Sequence, residues 1–189
     1  MIVGLSGASG AIFGVRLLEL LRELEVESHL IVSKAAAVTL AAETGFALSD
    51  LERLAYKRYP AGDIGAAIAS GSFRTRGMII APCSIKTMSE IATGATTTLL
   101  SRAADVVLKE RRRLVLAVRE SPLHLGHLRS MTALAEMGAV IAPPAPAFYA
   151  GPESIDDMVT QTAARLLDLI GLNSPAIRRW PGASEPKQG

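Results

Sequence analysis

Apolar runs without polar alternation recur along this chain, and the stretches between them carry apolar positions at helical spacing. The runs at 1–5, 28–33, 77–81, 113–118 and 138–141 read as buried strands, with a weaker one at 55–59. Pro82 is expected to stop the run at 77–81. Helices are expected at 11–24, 35–43, 50–54, from an N-cap at Ser84 to Gly94, and at 97–112, 125–137 and 154–169. Strands that alternate with helices and are apolar on both faces make a parallel sheet covered on both sides. The expected fold is therefore a three-layer, doubly wound α/β sheet. One such domain is expected over 1–172. The tail, 173–189, holds Trp180 and is expected to dock on the body or on a neighbouring subunit.

The first strand leads into Ser6-Gly7-Ala8-Ser9-Gly10 and then a helix, the first half of a nucleotide-binding βαβ unit. Glycines let a backbone approach a phosphate, and a helix start offers it unpaired N–H groups. The spacing Gly4-x-x-Gly7-x-x-Gly10 matches neither the dinucleotide fingerprint nor the P-loop. A tight packing turn and a phosphate turn thus stand about even, with the Ser6 and Ser9 hydroxyls favouring phosphate. In parallel sheets of this kind ligands lie beyond the carboxyl ends of the strands. Those ends carry Ser6 to Gly10, then Ser33 and Lys34, then Pro82, Cys83, Ser84 and Thr87, then Arg119 and Glu120, and finally a Pro-rich loop ending in Tyr149. A ligand site along that edge is expected.

Composition narrows the setting. Hydrophobic residues make up 49% of the 189 and charged ones 20%, yet no apolar run approaches a membrane span. The surplus apolar surface is expected between subunits of a homo-oligomer. The single cysteine, Cys83, excludes an internal disulfide and fits a cytoplasmic protein, and no export signal is expected. A net charge of +2 does not point to nucleic acid.

Several residues carry candidate chemistry. Arg102 and Lys109 lie seven apart on one predicted helix face, and Arg119 stands at the next strand end. The three are expected to converge on an anionic phosphate. Arg111 to Arg113 read as a solvated helix end favoured by the dipole. Glu120 is either an acid–base group or, at least as readily, the partner of Arg119 or a helix-entry carboxylate. Glu43 ends a helix, a poor place for an acid by dipole arguments, so it is expected to serve another purpose there. Cys83 near a helix start is either an activated thiol or a packing group, the latter being commoner. The histidines His29, His124 and His127 show no metal-ligand spacing, and no metal site is expected.

Five segments together resemble one family. They are Gly4-Leu5-Ser6-Gly7-Ala8-Ser9-Gly10-Ala11-Ile12, Ala69-Ser70-Gly71-Ser72-Phe73, Ala81-Pro82-Cys83-Ser84-Ile85-Lys86-Thr87, the stretch from Arg102 through Lys109 to Arg112, and Pro146-Ala147-Phe148-Tyr149. In this order they resemble the flavin prenyltransferases, over nearly the whole chain. The resemblance implies a Rossmann/flavodoxin-like flavoprotein that joins a dimethylallyl group from dimethylallyl monophosphate to N5 and C6 of reduced FMN, without metal. The product would serve a separate decarboxylase, and the assembly would be a dodecamer. By the same resemblance Gly7, Ala8, Ser9, Ser33, Ser84, Ile85, Lys86, Thr87 and Arg119 would hold FMN. Arg102, Lys109, Arg119, Glu120, Tyr149, Arg165 and Trp180 would meet the prenyl phosphate. Glu120, Ser9, Glu43, Lys109 and Arg102 would carry the catalysis, with Ser9 and Glu43 handling a proton at the flavin. The chain departs from the family where Phe13 replaces a frequent Tyr, where a Trp near Ile64 is missing, and where Thr97-Thr98 replaces Asp-Asn. A flavin carrier without prenyl transfer is the other class of function, and a flavin-dependent cysteine decarboxylase ranks below both.

Overall fold

The computed structural model describes residues 1–182. Six parallel strands form one sheet in the order β3-β2-β1-β4-β5-β6. In chain order the elements are β1 (Ile2–Leu5), α1 (Ala11–Glu23), β2 (His29–Val32), α2 (Lys34–Glu43), α3 (Leu48–Leu54), β3 (Lys57–Tyr59) and β4 (Gly77–Cys83). They continue with α4 (Ile85–Ala92), α5 (Leu99–Lys109), β5 (Arg113–Val118), α6 (Leu125–Glu136), β6 (Val140–Ile141) and α7 (Ile155–Leu169).

The central strands explain themselves. Every residue of β1, β2 and β4 is buried, as a strand covered on both faces requires. Val3 and Leu5 join the core beneath α1 and α7, while Ile2 joins the second core beneath α4 and α5. A wholly buried aliphatic of this kind contributes about 1.5–3 kcal/mol.

β4 does not stop at Pro82. It continues to Cys83, and its pairing with β5 shifts register between Ile80 and Cys83. Proline has no N–H to give to the ladder, and the irregularity absorbs that loss. The helix expected at 97–112 is shorter. Thr98 caps it by accepting from the Ser101 N–H at 3.3 Å, so the helix starts at Leu99. The Thr97-Thr98 departure therefore keeps a working cap.

The chain order reverses between β1 and β4, where the two halves of the sheet meet. Ser6 closes this seam. Its hydroxyl donates to the Pro82 carbonyl at 2.9 Å and accepts the Ser84 N–H at 2.7 Å, while its own N–H donates to Pro82 at 3.1 Å. Ser6 is 1% exposed. Ser6→Ala would leave the buried Ser84 N–H unpaired and take one of two donors from the Pro82 carbonyl, which keeps the Ser6 backbone N–H. We expect a loss of about 2 kcal/mol and a fall in Tm of roughly 4–8 °C, read by thermal unfolding.

Candidate active site at the carboxyl edge of the sheet

Helices α1, α2 and α4 all start at the carboxyl edge, beyond β1, β2 and β4. Each presents N–H groups with no partner inside its own helix and the positive end of a dipole. Their fates differ. The Gly10 N–H of α1 donates to the Glu43 carboxylate at 2.7 Å, and the Ala11 N–H donates to the same oxygen at 3.3 Å. Glu43 ends α2, where its own helix dipole disfavours it, and a different helix start holds it. Burial by itself would raise the Glu43 pKa. The hydrogen bonds from Gly10, the Ser9 hydroxyl and Ala11, with the Arg119 charge, outweigh that and hold it below its ordinary value.

This corrects the expectation that α1 offers free donors to a phosphate. A carboxylate already fills that place, and the Ser6 hydroxyl is spent on the strand seam. The glycines of the turn have conformational causes of their own. A Cβ on Gly7 would sit 2.3 Å from the Ala35 side chain, and Gly10 adopts φ +100°, a conformation that side chains disfavour.

The starts of α2 and α4 are open. Ser33 accepts from the Ala36 N–H at 3.1 Å, and Ser84 accepts from the Thr87 N–H at 3.3 Å. Among the described residues nothing accepts the N–H groups of Lys34, Ala35, Ile85 and Lys86. β2 and β4 flank β1, so the strand ends that lead into the two open helices are about 10 Å apart, two strand spacings. The Lys86 side chain is engaged with Glu90 at 2.9 Å, which leaves its backbone as the free donor.

Arg119 and Glu120 follow β5 on the same edge, and both are exposed. They do not pair with each other. Glu120 accepts from the Ser121 N–H at 3.0 Å, and Arg119 has no carboxylate partner among the described residues. Beyond β6, Tyr149 and Trp180 stand edge to face, ring centres 5.8 Å apart. A cavity of about 110 Å³ lies between the 143–149 loop and α7, with Tyr149, Gln161 and Arg165 in its wall.

Lys109 does not join this group within one chain. α5 runs antiparallel to the strands, so its last residue lies at the opposite edge. The six residues of β5 span about 20 Å between the edge near Lys109 and the edge of Arg119. Lys109 pairs with Glu110 at 2.7 Å and lines an open groove of about 930 Å³ with Arg112 and Gly138. Arg102, about 10 Å back along α5, pairs with Asp105 at 3.0 Å. Seven-residue spacing shares a helix face, but it also separates the two cations along the axis.

Two arginines of the expected solvated helix end also bind backbone, Arg112 half-buried and Arg113 still exposed. Arg112 donates to the carbonyls of Phe73 at 2.7 Å and Gly71 at 2.9 Å, and so fastens the small-residue stretch. Arg113 donates to the Leu169 carbonyl at 2.6 Å. No sequence signal marks these bonds, since their acceptors are backbone. Gln161 had a signal: it is the polar member of a buried helix face otherwise formed by Val159, Ala163, Ala164, Leu166 and Leu167. Cys83 is fully buried, which pushes its thiol up to about 12. His29 is buried against the Tyr59 hydroxyl at 3.2 Å, and burial lowers its pKa. Among the described residues no three His, Cys, Asp or Glu side chains cluster as a metal site would need.

The chain is similar to known proteins over nearly its whole length. The flavoprotein family model matches residues 1–167. The flavin prenyltransferase UbiX of Escherichia coli K12 is 58% identical over 186 residues, covering 97% of this chain and 98% of that protein. The crystal structure of AnUbiX (PadA1), in complex with FMN and dimethylallyl pyrophosphate, superposes with a TM-score of 0.94 at 47% identity, covering 96% of both chains. A dodecameric FMN-dependent UbiX-like decarboxylase from Escherichia coli O157:H7 superposes at 0.93 and 51% identity, covering 96% of this chain and 98% of that one.

Two outcomes follow from the local electrostatics. The folded-state pKa of Glu43 lies below its unfolded value, so its stabilisation is present above that unfolded value and is lost as pH falls through the folded one. Urea titrations should show the largest advantage of the natural chain over Glu43→Gln above about pH 5, shrinking under acid. A thiol reagent at neutral pH should label Cys83 only after denaturant is added.

Proposed function

This chain belongs to the flavin prenyltransferases of the flavoprotein family, and from that premise we propose how its own residues carry out the reaction. It joins the dimethylallyl group of dimethylallyl monophosphate to N5 and C6 of reduced FMN. The observation that supports this division of labour most is the unequal state of the three helix starts. Those of α2 and α4 are free for an anion, while that of α1 already holds Glu43.

We assign the FMN phosphate to the α2 and α4 starts, with Ser33, Ser84, Ile85, Lys86 and Thr87 around it. The backbone of Gly7 and Ala8 borders the ring system, and Ser9 with Glu43 holds or passes a proton there. Arg119, beyond β5, is close enough for its charge to act on Glu43. When bound, the reduced flavin supplies the nucleophilic nitrogen and carbon.

The leaving phosphate falls to Arg119, Glu120, Tyr149 and Arg165. Breaking the allylic C–O bond places negative charge on phosphate oxygen and positive charge on carbon. Fixed cations stabilise the first, and we assign to Glu120 the proton given to the departing oxygen. The faces of Tyr149 and Trp180 favour the second and keep water away from it.

Arg102 and Lys109 complete the phosphate site. Because Lys109 lies at the far edge of its own sheet, we assign it to the site of a neighbouring copy. An assembly like the dodecameric relative, sealed through exposed apolar residues such as Leu125 and Leu128 of α6, would bring the two edges together. We further propose that the product passes to a separate decarboxylase. A cytoplasmic setting suits both the reduced flavin and the free Cys83 thiol.

Anaerobic incubation with reduced FMN and either the mono- or the diphosphate ester, followed by mass analysis of the flavin, tests the reaction and its donor. Gain of one five-carbon unit is expected with the monophosphate, and no gain with either ester would favour a flavin carrier. Glu120→Gln should slow product formation about 100-fold or more while FMN still binds. Undiminished turnover would remove Glu120 from the mechanism.

A further inference from the structure

Gln161 occupies a position where an aliphatic residue would be expected. It lies on the buried face of α7, 6% exposed, among Val159, Ala163, Ala164 and Leu167. A buried amide is unfavourable there unless both of its ends are satisfied. Both are satisfied by one distant residue: the Nε2 group donates to the Arg178 carbonyl at 2.8 Å, and Oε1 accepts the Arg178 N–H at 2.8 Å. The side chain thus pairs with the tail backbone as a neighbouring strand would.

The surrounding bonds hold the same segment. The Arg178 guanidinium donates to the Ala150 carbonyl at 2.9 Å, next to Tyr149. Asp168 of α7 takes Arg179 of the tail at 2.6 Å and pairs with Arg165 as well. Two residues past the clamp, Trp180 meets Tyr149 edge to face. Gln161 also lines the small cavity that Tyr149 and Arg165 border.

We propose that Gln161 is a positioning residue: by pairing with the backbone of Arg178 it seats Trp180 against Tyr149 and so shapes the end of the site that receives the prenyl phosphate. This rests on the placement of Tyr149, Arg165 and Trp180 at that substrate. Gln161 itself need not touch any reacting atom. Its role is to keep an exposed tail in one register, because an aromatic wall displaced by an ångström loses most of its value for orienting a small substrate.

Trp180 is the only tryptophan in the chain, so its fluorescence reports on this segment alone. Gln161→Met keeps the side-chain volume and removes both hydrogen bonds. In that variant we expect lower Trp180 anisotropy, an unchanged affinity for FMN, and a KM for dimethylallyl monophosphate raised about tenfold with a smaller change in kcat. Arg178→Pro deletes the N–H that Gln161 accepts, and the guanidinium bond to Ala150 with it, without altering α7; Arg178→Ala, which loses only the second bond, is its control. The proline variant should reproduce these effects, and it serves as the test if Gln161→Met does not fold. A mobile Trp180 with unchanged KM and kcat in either variant would overturn the proposal. Trp180→Ala, measured alongside, separates the two layers of the inference. If it leaves KM unchanged, the substrate placement falls and the proposal with it. If it raises KM while Gln161→Met does not, only the clamp is overturned.

Discussion

Helix starts carry N–H groups that must find acceptors, and this fold brings those of α1, α2 and α4 to neighbouring strand ends on one edge of its sheet. The resulting field favours anions over a small area. One start would suit any carboxylate or phosphate; three together need to be shared out. Glu43 fills the first from the far end of a neighbouring helix. Ser33 and Ser84 cap the other two with one hydroxyl each and leave the remaining donors free. The edge is thereby divided into a part that carries its own anion and a part that awaits one.

That division depends on the strands beneath it. Ser6 ties the ends of β1 and β4 through both partners of its hydroxyl, at the point where the two halves of the sheet separate. The edge thus has satisfied backbone groups at the β1–β4 seam and unsatisfied ones at the starts of α2 and α4. Elsewhere, long basic side chains work as fasteners on carbonyl oxygen: Arg112 on the 71–73 turn and Arg113 on the end of α7. Their charge is absorbed by structure and is not available to a substrate. Arg119, with no carboxylate partner among the described residues, is available.

Much of the site was legible because it follows from strand order and hydroxyl placement. Once strands and helices alternate, the carboxyl ends of the strands must face one edge, so the sequence alone groups Ser9, Ser33, Ser84, Arg119 and Glu120. Lys109 shows where that reasoning failed. Periodicity reports angle around a helix and says nothing about which sheet edge a residue reaches, and α5 carries Lys109 to the wrong edge for its own chain. Gln161 was visible as a polar interruption of an apolar face, but its partner, 17 residues on, was not.

The sequence by itself determined the layered parallel sheet, the edge at which chemistry could occur and the family to which the chain belongs. Apolar periodicity and local turn residues encode those directly. Only the tertiary structure decided that the glycine turn opens onto a carboxylate-capped helix start, that Ser6 is a seam bond, and that Arg112 and Gln161 hold backbone in place. Each of these depends on a contact between positions far apart in sequence, often with a backbone atom whose location no residue type announces.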